Sequence, residues 1–232
     1  MFDDSIDIYD IVYAHKDYAA ESAWVADAVR RRNPEARTLL DVACGTGQHL
    51  EHLRREFECQ GTDLLPGFVD LASSRTGVPI HRADMDDFDL ETRFDAVVCL
   101  FSAIGYSLDL DSAIASMARH LEPAGVLIVE PWFTPDEWQP GRVQVLDHEA
   151  DRVRVVRMTA SDIDGDTAVM TMHHLVARGS EIEHRSETHR MTLFTMADYE
   201  AAFRTAGLTF EVDRPGPFGR GALIGSPRPR ES

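Results

Sequence analysis

Lysine is almost absent from this chain of 232 residues: Lys16 is the single one, and arginine supplies nearly all of the positive charge. Acidic residues outnumber basic ones by 40 to 23, which gives a net charge of −17. Binding to phosphate backbones or to anionic membranes depends on clustered basic residues. Because no basic stripe with interleaved aromatic residues occurs, we expect neither a nucleic-acid partner nor a membrane partner.

Paired cysteines and long apolar runs are missing as well. The cysteines, Cys44, Cys59 and Cys99, are odd in number and include no Cys-x-x-Cys pair, which favours a reduced, cytoplasmic compartment. No apolar stretch reaches the roughly 18 residues of a membrane span, and the chain does not open on a basic segment followed by an apolar run. Hydrophobic residues still make up 44% of the chain, which is enough for a core.

Apolar runs alternate with helical patterns over about the first 130 residues. The helical patterns cover 5–32, a segment beginning at 48, 66–74 and 111–121, and the predicted strands cover 38–43, 57–63, 80–83, 94–101 and 126–129. Strands that alternate with helices imply a parallel sheet with right-handed crossovers. The sequence therefore predicts an α/β fold.

The pattern changes after Pro131. Runs with period-two character cover 143–146, 153–157, 168–172 and 182–188, and turn signals separate them at 164–166 and 178–180. We predict an antiparallel β meander inserted at about 140–190, followed by a helix over 196–206 and a hairpin formed by 208–212 and 222–224. We expect one domain over 1–232, with a helical N-terminal lid over 1–35 and a meander that serves as a homo-oligomer surface.

The segment that carries most of the chemistry is LDVACGTG at 40–47, between a predicted strand and a predicted helix. Gly45 and Gly47 allow positive φ and a close approach of the backbone to a ligand. A nicotinamide site uses Gly-x-Gly-x-x-Gly, but the third position here is Leu50. Asp41 before the turn suits a ligand with an ammonium group better than a pyrophosphate.

Acidic residues follow the next two predicted strands. Asp63 is placed to accept both hydroxyls of a ribose, and Asp84 to accept from the exocyclic amine of adenine, with Met85 against the ring. In this order and spacing the motifs resemble class I S-adenosylmethionine (SAM) methyltransferases over about 38–130. The resemblance implies a Rossmann-like fold with a doubly wound, mostly parallel, seven-stranded sheet that carries the meander. It implies SAM contacts from Tyr18, Asp41, Ala43, Gly45, Gly47, Asp63, Leu64, Asp84, Met85 and Phe101.

The likeness becomes more specific over nearly the whole chain. The segments concerned are KDYAAE at 16–21, HLEH at 49–52, FS at 101–102, GY at 105–106, HLEP at 120–123, VEPW at 129–132, TLF at 192–194, YEAAF at 199–203 and GRG at 219–221. They resemble the antibiotic-pathway enzymes that dimethylate the amine of nucleotide-linked deoxyaminosugars, such as those that make desosamine and mycaminose. The chain departs from that family at Ala124, where glycine is usual, and at Asp63, where glutamate is common.

The resemblance implies a small-molecule amine as acceptor, methylated by direct in-line transfer. Tyr9 and Tyr106 are expected to position the reacting groups. The predicted acceptor contacts are Tyr9, Tyr13, Ser102, Tyr106, Glu130, Trp132, Phe133 and Arg220. A diphosphate-linked sugar is an anion, so an acidic protein needs a local arginine to bind it. Arg220 is the candidate, and Arg142 and Arg214 are alternatives.

Other interpretations stay open at this point. The acceptor is alternatively another antibiotic amine, lincosamide-like or glycopeptide-like, or a hydroxyl group on a small molecule. A nicotinamide oxidoreductase is disfavoured by Asp41 and by the missing third glycine. A non-enzymatic SAM-binding scaffold that dimerises through the meander is a further alternative. No metal site is expected, because adjacent residues such as His173 and His174 point to opposite faces of a strand and no cysteine or carboxylate cluster completes a site.

Overall fold

The computed structural model describes residues 5–150, 152–214 and 216–229. Contacts divide the chain into two compact units. The larger unit comprises Asp17–Phe133 and the described part of Phe194–Ser232, and the smaller unit comprises the described parts of Met1–Lys16 and Thr134–Leu193. The predicted lid over 1–35 is therefore shared between the two units.

Strands and helices alternate through the first half of the chain, and long strands follow. The strands are β1 Thr38–Val42, β2 Glu58–Asp63, β3 Ile80–Arg82, β4 Phe94–Cys99, β5 Leu121–Val129, β6 Val143–Ala150, β7 Val153–Asp164, β8 Thr167–Arg178, β9 Glu181–Thr192, β10 Glu211–Asp213 and β11 Ala222–Gly225. The α-helices are α1 Tyr9–Val12, α2 Tyr18–Arg32, α3 Gln48–Leu53, α4 Pro66–Thr76, α5 Leu110–Arg119 and α6 Met196–Thr205. None of the helices in the described ranges is long and apolar enough to cross a membrane.

The larger unit is built on a sheet of seven strands in the order β10-β11-β5-β4-β1-β2-β3. Neighbours are parallel from β5 to β3, whereas β11 runs antiparallel to both β5 and β10. The strand order reverses between β1 and β4, and α/β proteins bind ligands beyond the carboxyl ends of strands at such a point. The predicted doubly wound, mostly parallel sheet is confirmed.

Alternate residues of β1 enter cores on opposite faces of the sheet. Leu39 belongs to a cluster with Val29 of α2, whereas Leu40 belongs to a cluster with Ile114 and Met117 of α5. A continuous apolar run is what a strand needs when helices cover both of its faces. Burial of each leucine contributes about 1.5–3 kcal/mol, so both cores fix β1 and the turn that follows it.

The N-terminal helical pattern is interrupted. A short 3-10 helix, Ile6–Ile8, is followed by α1, which ends at Val12. The next helix, α2, begins only at Tyr18. The Asp17 carboxylate accepts from the Ala20 amide at 2.9 Å and caps α2. The prediction of one helical stretch over 5–32 is wrong at 13–17. The apolar periodicity continues through these residues, but the Asp17 cap starts a new helix after them.

The smaller unit contains a sheet of four antiparallel strands in the order β6-β7-β8-β9. Gly165 and Gly179 open the two-residue turns of its last two hairpins, with φ values of 63° and 65°. Such turns match the natural twist of paired strands. The predicted meander is confirmed. Its strands are longer than predicted, because cross-strand pairing continues beyond the apolar runs, and β8 covers Thr167–Arg178 rather than 168–172.

Candidate cofactor and acceptor site

β1 ends in a tight turn over 43–47 that presents backbone at the carboxyl edge of the sheet. Ala43, Gly45 and Gly47 have φ values of 57°, 56° and 79°. A Cβ at Gly47 would lie 3.1 Å from the Cα and Cβ of Ala72 in α4. A side chain there would therefore clash with α4 and strain the backbone, so glycine lets the end of the turn pack closely against that helix.

Two buried carboxylates lie beside this turn. Asp41 is 1% exposed, and its Oδ2 has no hydrogen-bond partner within the described ranges. Burial, and then the charge of Asp63, raise the pKa of Asp41 well above its ordinary value. Burial also raises the pKa of Asp63, although the amides of Leu65 and Gly45, each at 2.9 Å, oppose that change. A buried carboxylate oxygen without a hydrogen-bond partner fits a positively charged ligand, and SAM carries both an ammonium and a sulfonium group.

The predicted adenine contacts lie in the loop after β3. Asp84 is exposed and its carboxylate accepts from the Asp86 amide at 3.1 Å. Met85 is half-buried and packs against the core that contains α5. Leu64 keeps 41% of its surface exposed at the end of β2. These side chains offer two apolar surfaces and one acceptor, which is what an adenosine group requires.

The backbone is strained directly after β4. Phe101 and Ser102 have φ values of 55° and 57°, a region that costs free energy for residues other than glycine. Glu130 follows β5; its side chain is 0% exposed, and its carboxylate accepts from the Phe101 amide at 2.6 Å. The Ser102 hydroxyl donates to the Pro131 carbonyl at 2.8 Å. Residues held in this way concentrate at functional sites.

Arg220 reaches the same turn from a distant part of the sequence. Its Nη2 donates to Glu130 Oε1 at 2.7 Å, and its Nε donates to Ser102 Oγ at 3.0 Å. The guanidinium lies 5.6 Å from the ring centroid of Trp132 and 5.3 Å from that of Phe133, within cation–π range. The Arg220 side chain remains 25% exposed, so a cation is presented to solvent while its carboxylate partner is buried.

The predicted site residues fall into two groups. The larger unit contains Tyr18, Asp41, Ala43, Gly45, Gly47, Asp63, Leu64, Asp84, Met85, Phe101, Ser102, Tyr106, Glu130, Trp132, Phe133 and Arg220. The smaller unit contains Tyr9 and Tyr13, whose ring centroids are 4.7 Å apart, and Arg157 Nη1 donates to the Tyr13 hydroxyl at 3.0 Å. The acceptor role of these two tyrosines stays a prediction.

Two contacts in this region were not predicted from the sequence. Asp86 accepts from the Leu108 amide at 3.0 Å through Oδ2, which ties the loop after β3 to the segment after Tyr106. Glu21 of α2 lies 2.7 Å from His49 of α3, measured from Oε2 to Nε2. Neither contact has a local signal, because each joins residues that are far apart in the sequence.

Adjacent histidines of the meander differ in burial. His174 is buried, whereas His173 is exposed and lies 3.1 Å from His184, between Nδ1 and Nε2. Throughout the described ranges, no group of three or more histidine, cysteine or carboxylate side chains is arranged to hold a metal ion.

Comparison with known proteins connects this site to a family. A family model described as a methyltransferase domain matches residues 39–125. The chain is 44% identical over 232 residues to the dTDP-3-amino-3,4,6-trideoxy-alpha-D-glucopyranose N,N-dimethyltransferase of Streptomyces venezuelae, with 97% of this chain and 98% of the relative covered. The chain belongs to the sugar N,N-dimethyltransferase family of SAM-dependent methyltransferases.

Solved structures agree with this assignment. The crystal structure of Streptomyces venezuelae DesVI matches with a TM-score of 0.92 at 44% identity, over 96% of this chain and 98% of that chain. The SAM-bound structure of CalS10, an amino pentose methyltransferase from Micromonospora echinaspora involved in calicheamicin biosynthesis, matches with a TM-score of 0.88 at 36% identity, over 95% and 97%. The predicted Rossmann-like fold, SAM cofactor and enzyme class are confirmed for this methyltransferase, and the nicotinamide alternative is overturned.

Proposed function

We propose that this methyltransferase N-methylates the amine of a nucleotide-linked deoxyaminosugar in the biosynthesis of an antibiotic. The observation that carries the proposal is Arg220, a partly exposed guanidinium at the predicted acceptor edge of a protein with a net charge of −17. A diphosphate-linked sugar is an anion that an acidic surface repels unless a local cation attracts it. Two relatives, at 44% and 40% identity, are named as N,N-dimethyltransferases of dTDP-linked aminosugars, which supports this substrate class.

The residues beside the glycine turn have the chemistry to hold SAM. When bound, SAM supplies a methyl group on a sulfonium centre. Asp41 would accept from its ammonium group through the unsatisfied Oδ2, and Asp63 would accept from the ribose hydroxyls. Asp84 and Met85 would contact the adenine. Tyr18, at the start of α2, would contact the methionyl end.

The opposite side of the site is suited to orienting an amine. Arg220 would bind the phosphates, and Trp132 and Phe133 would provide apolar surface. The half-buried Tyr106, at the end of the 3-10 helix Ala103–Tyr106, would position the amine. The neutral amine nitrogen would bond to the methyl carbon as the carbon–sulfur bond of the sulfonium breaks, which releases S-adenosylhomocysteine, and the extra proton on nitrogen would pass to water. Alignment of two reactants reaches effective molarities of about 10⁵–10⁸ M. Catalysis of this kind depends on positioning more than on a strong general base.

The deciding experiment measures methyl transfer to three classes of acceptor. The purified enzyme is incubated with SAM and one of three acceptors: a dTDP-linked aminosugar, the same sugar without its nucleotide, or the sugar nucleotide that carries a hydroxyl in place of the amine. Mass spectrometry then counts the methyl groups added. We expect one and then two additions to the aminosugar nucleotide alone. Faster methylation of the sugar without its nucleotide, or methylation of the hydroxy sugar nucleotide, would contradict the proposal. The absence of turnover with all three acceptors would favour a scaffold role.

We also propose that the protein forms a homodimer through the smaller unit. One face of its antiparallel sheet exposes large apolar side chains in register, with Val145 paired to Met158 and with Leu175 and Ile182 on the neighbouring strands. Exposed apolar patches of this kind mark interaction surfaces. Light scattering is expected to give twice the monomer mass, and Met158→Glu with Leu175→Glu is expected to give the monomer. A wild-type monomer at micromolar concentration would rule this out.

A cytoplasmic location completes the proposal. Cys44, Cys59 and Cys99 are all free and buried. Reduced thiols suit a compartment in which disulfides do not persist. Fractionation of the producing cells, with immunodetection of the protein, tests the location directly.

A further inference from the structure

A buried ionisable pair lies outside the predicted site residues. Glu21 of α2 and His49 of α3 are both buried, and their Oε2 and Nε2 atoms are 2.7 Å apart. The Ser22 hydroxyl also donates to the His49 carbonyl at 3.4 Å. Two helices that are separate in the sequence are thus joined by polar contacts that meet at one residue, His49.

Each partner is a close neighbour of a residue assigned to SAM. Glu21 lies one helical turn after Tyr18, on the same face of α2. The Tyr18 ring packs edge-on against the His49 ring, with centroids 4.9 Å apart and an interplanar angle of 74°. His49 is in the first turn of α3, two residues after Gly47. The pair therefore connects the start of α2 to the end of the glycine turn.

Stability alone does not explain such a pair. Removing a carboxylate and an imidazole from water costs free energy that their attraction often fails to offset, and apolar residues of similar volume serve a core as well. A short, directional hydrogen bond does fix the orientation of both side chains. The orientation fixed here is that of the surface against which Tyr18 packs.

We propose that Glu21 and His49 are positioning residues that hold Tyr18 toward the methionyl end of SAM. This inference rests on the proposed contact between Tyr18 and SAM. Tyr18 is 9% exposed, so its ring stays packed without the pair, but the pair no longer fixes its orientation and SAM binding has to select that orientation. Fixing one such side chain on binding costs free energy, and this cost weakens SAM binding roughly 3- to 10-fold. The rate of methyl transfer at saturating SAM is unaffected, because the pair acts on cofactor binding alone.

The test compares Glu21→Gln and His49→Gln with wild type in the full-length enzyme. We expect the KM for SAM and the Kd for S-adenosylhomocysteine to rise roughly 3- to 10-fold, while kcat stays within about twofold. Asp27→Asn, an exposed position on α2, and His52→Gln, on α3, are matched controls that should leave both constants unchanged. A fall in kcat with an unchanged KM for SAM would overturn the inference.

A Tyr18→Phe background tests whether the pair acts through Tyr18. There, Glu21→Gln is expected to add no further loss of S-adenosylhomocysteine affinity, because coupled residues are not additive. An equal loss in both backgrounds would mean that the pair has a merely structural role. Circular dichroism and thermal unfolding verify the fold. If a glutamine variant does not fold, Glu21→Asp, which keeps the charge but shortens the reach, must show the same separation of KM from kcat.

Failure of the proposed function gives a different result. A wild-type enzyme that binds no S-adenosylhomocysteine, or methylates no acceptor, removes the function and with it the basis of this inference. A wild-type enzyme that is active, combined with variants whose KM for SAM is unchanged, removes the positioning role alone.

Discussion

Replacing Arg220 by methionine would leave Glu130 buried without its cationic partner. Glu130 is 0% exposed and accepts from Arg220 at 2.7 Å and from the Phe101 amide at 2.6 Å. Removing one partner of a buried pair costs about 3–5 kcal/mol. Because the Arg220 side chain is 25% exposed and the Phe101 amide still donates, we expect a smaller loss, about 2–3 kcal/mol in the free energy of unfolding.

That loss is measurable as a shift in thermal unfolding. For a chain of this size, each kcal/mol corresponds to about 2–4 °C, so Arg220→Met should lower Tm by about 4–12 °C. Adding Glu130→Gln removes the buried charge and should restore most of the lost Tm. The KM for the sugar nucleotide should rise about 10-fold or more in both variants, since a charge-assisted hydrogen bond contributes about 1.5–3 kcal/mol.

Arg55→Met, an exposed arginine in the same unit, is the matched control and should change neither quantity. Arg220→Met with a wild-type Tm would refute the reasoning about Glu130. A lower Tm with an unchanged KM for the sugar nucleotide would refute anion binding by Arg220 and leave it a structural role. The KM for SAM serves as an internal reference, because the SAM contacts do not include Arg220.

The remaining predictions concern the glycine turn and its carboxylates. Asp41→Asn removes a buried carboxyl group that is costly to ionise and has an unsatisfied oxygen, so the Tm of the ligand-free protein should rise. Calorimetry should show S-adenosylhomocysteine affinity falling about 10-fold or more, and unchanged affinity would exclude an ammonium contact. Folding raises the pKa values of Asp41 and Asp63 above 3.8. The contribution of these two groups to the free energy of unfolding is therefore largest below pH 3.8 and is lost as pH rises through the raised pKa values. S-adenosylhomocysteine affinity should therefore increase with pH across this window in wild type, and the increase should be smaller in Asp41→Asn. Gly47→Ala should lower Tm more than Gly165→Ala, because both have positive φ but Gly47 alone of the two meets Ala72 at 3.1 Å; equal losses would contradict this.

The larger unit was predictable wherever the determining signal is local. The apolar run of β1, the glycines after it and Asp63 at the end of β2 lie within a short stretch, and their order specifies a strand, a turn and the carboxylates beside it. The Asp17 cap was missed because helical periodicity extends across it, and the capping hydrogen bond to Ala20 is visible only in three dimensions.

The residues predicted to contact the acceptor could be named from the sequence, but the contacts among them could not. Glu130 and Arg220 were both predicted as acceptor contacts, yet their ion pair joins residues far apart in the sequence. It forms because β11 pairs antiparallel with β5, a pairing that no period or spacing in the sequence specifies. The structure consequently buries the Glu130 carboxylate beneath the turn and leaves Arg220 as the charged group that is accessible.

The position of β11 has a consequence for how the enzyme is made. It pairs with β5 on one side and β10 on the other, although it comes last among the strands of the described ranges. While the chain leaves the ribosome, β1 to β5 can assemble early. The edge of β5 stays exposed until 222–225 emerge, and strands of other chains can pair with it during that time. Arg220 lies two residues before that strand, so the cation for an anionic substrate is synthesised only together with the segment that covers the edge of β5.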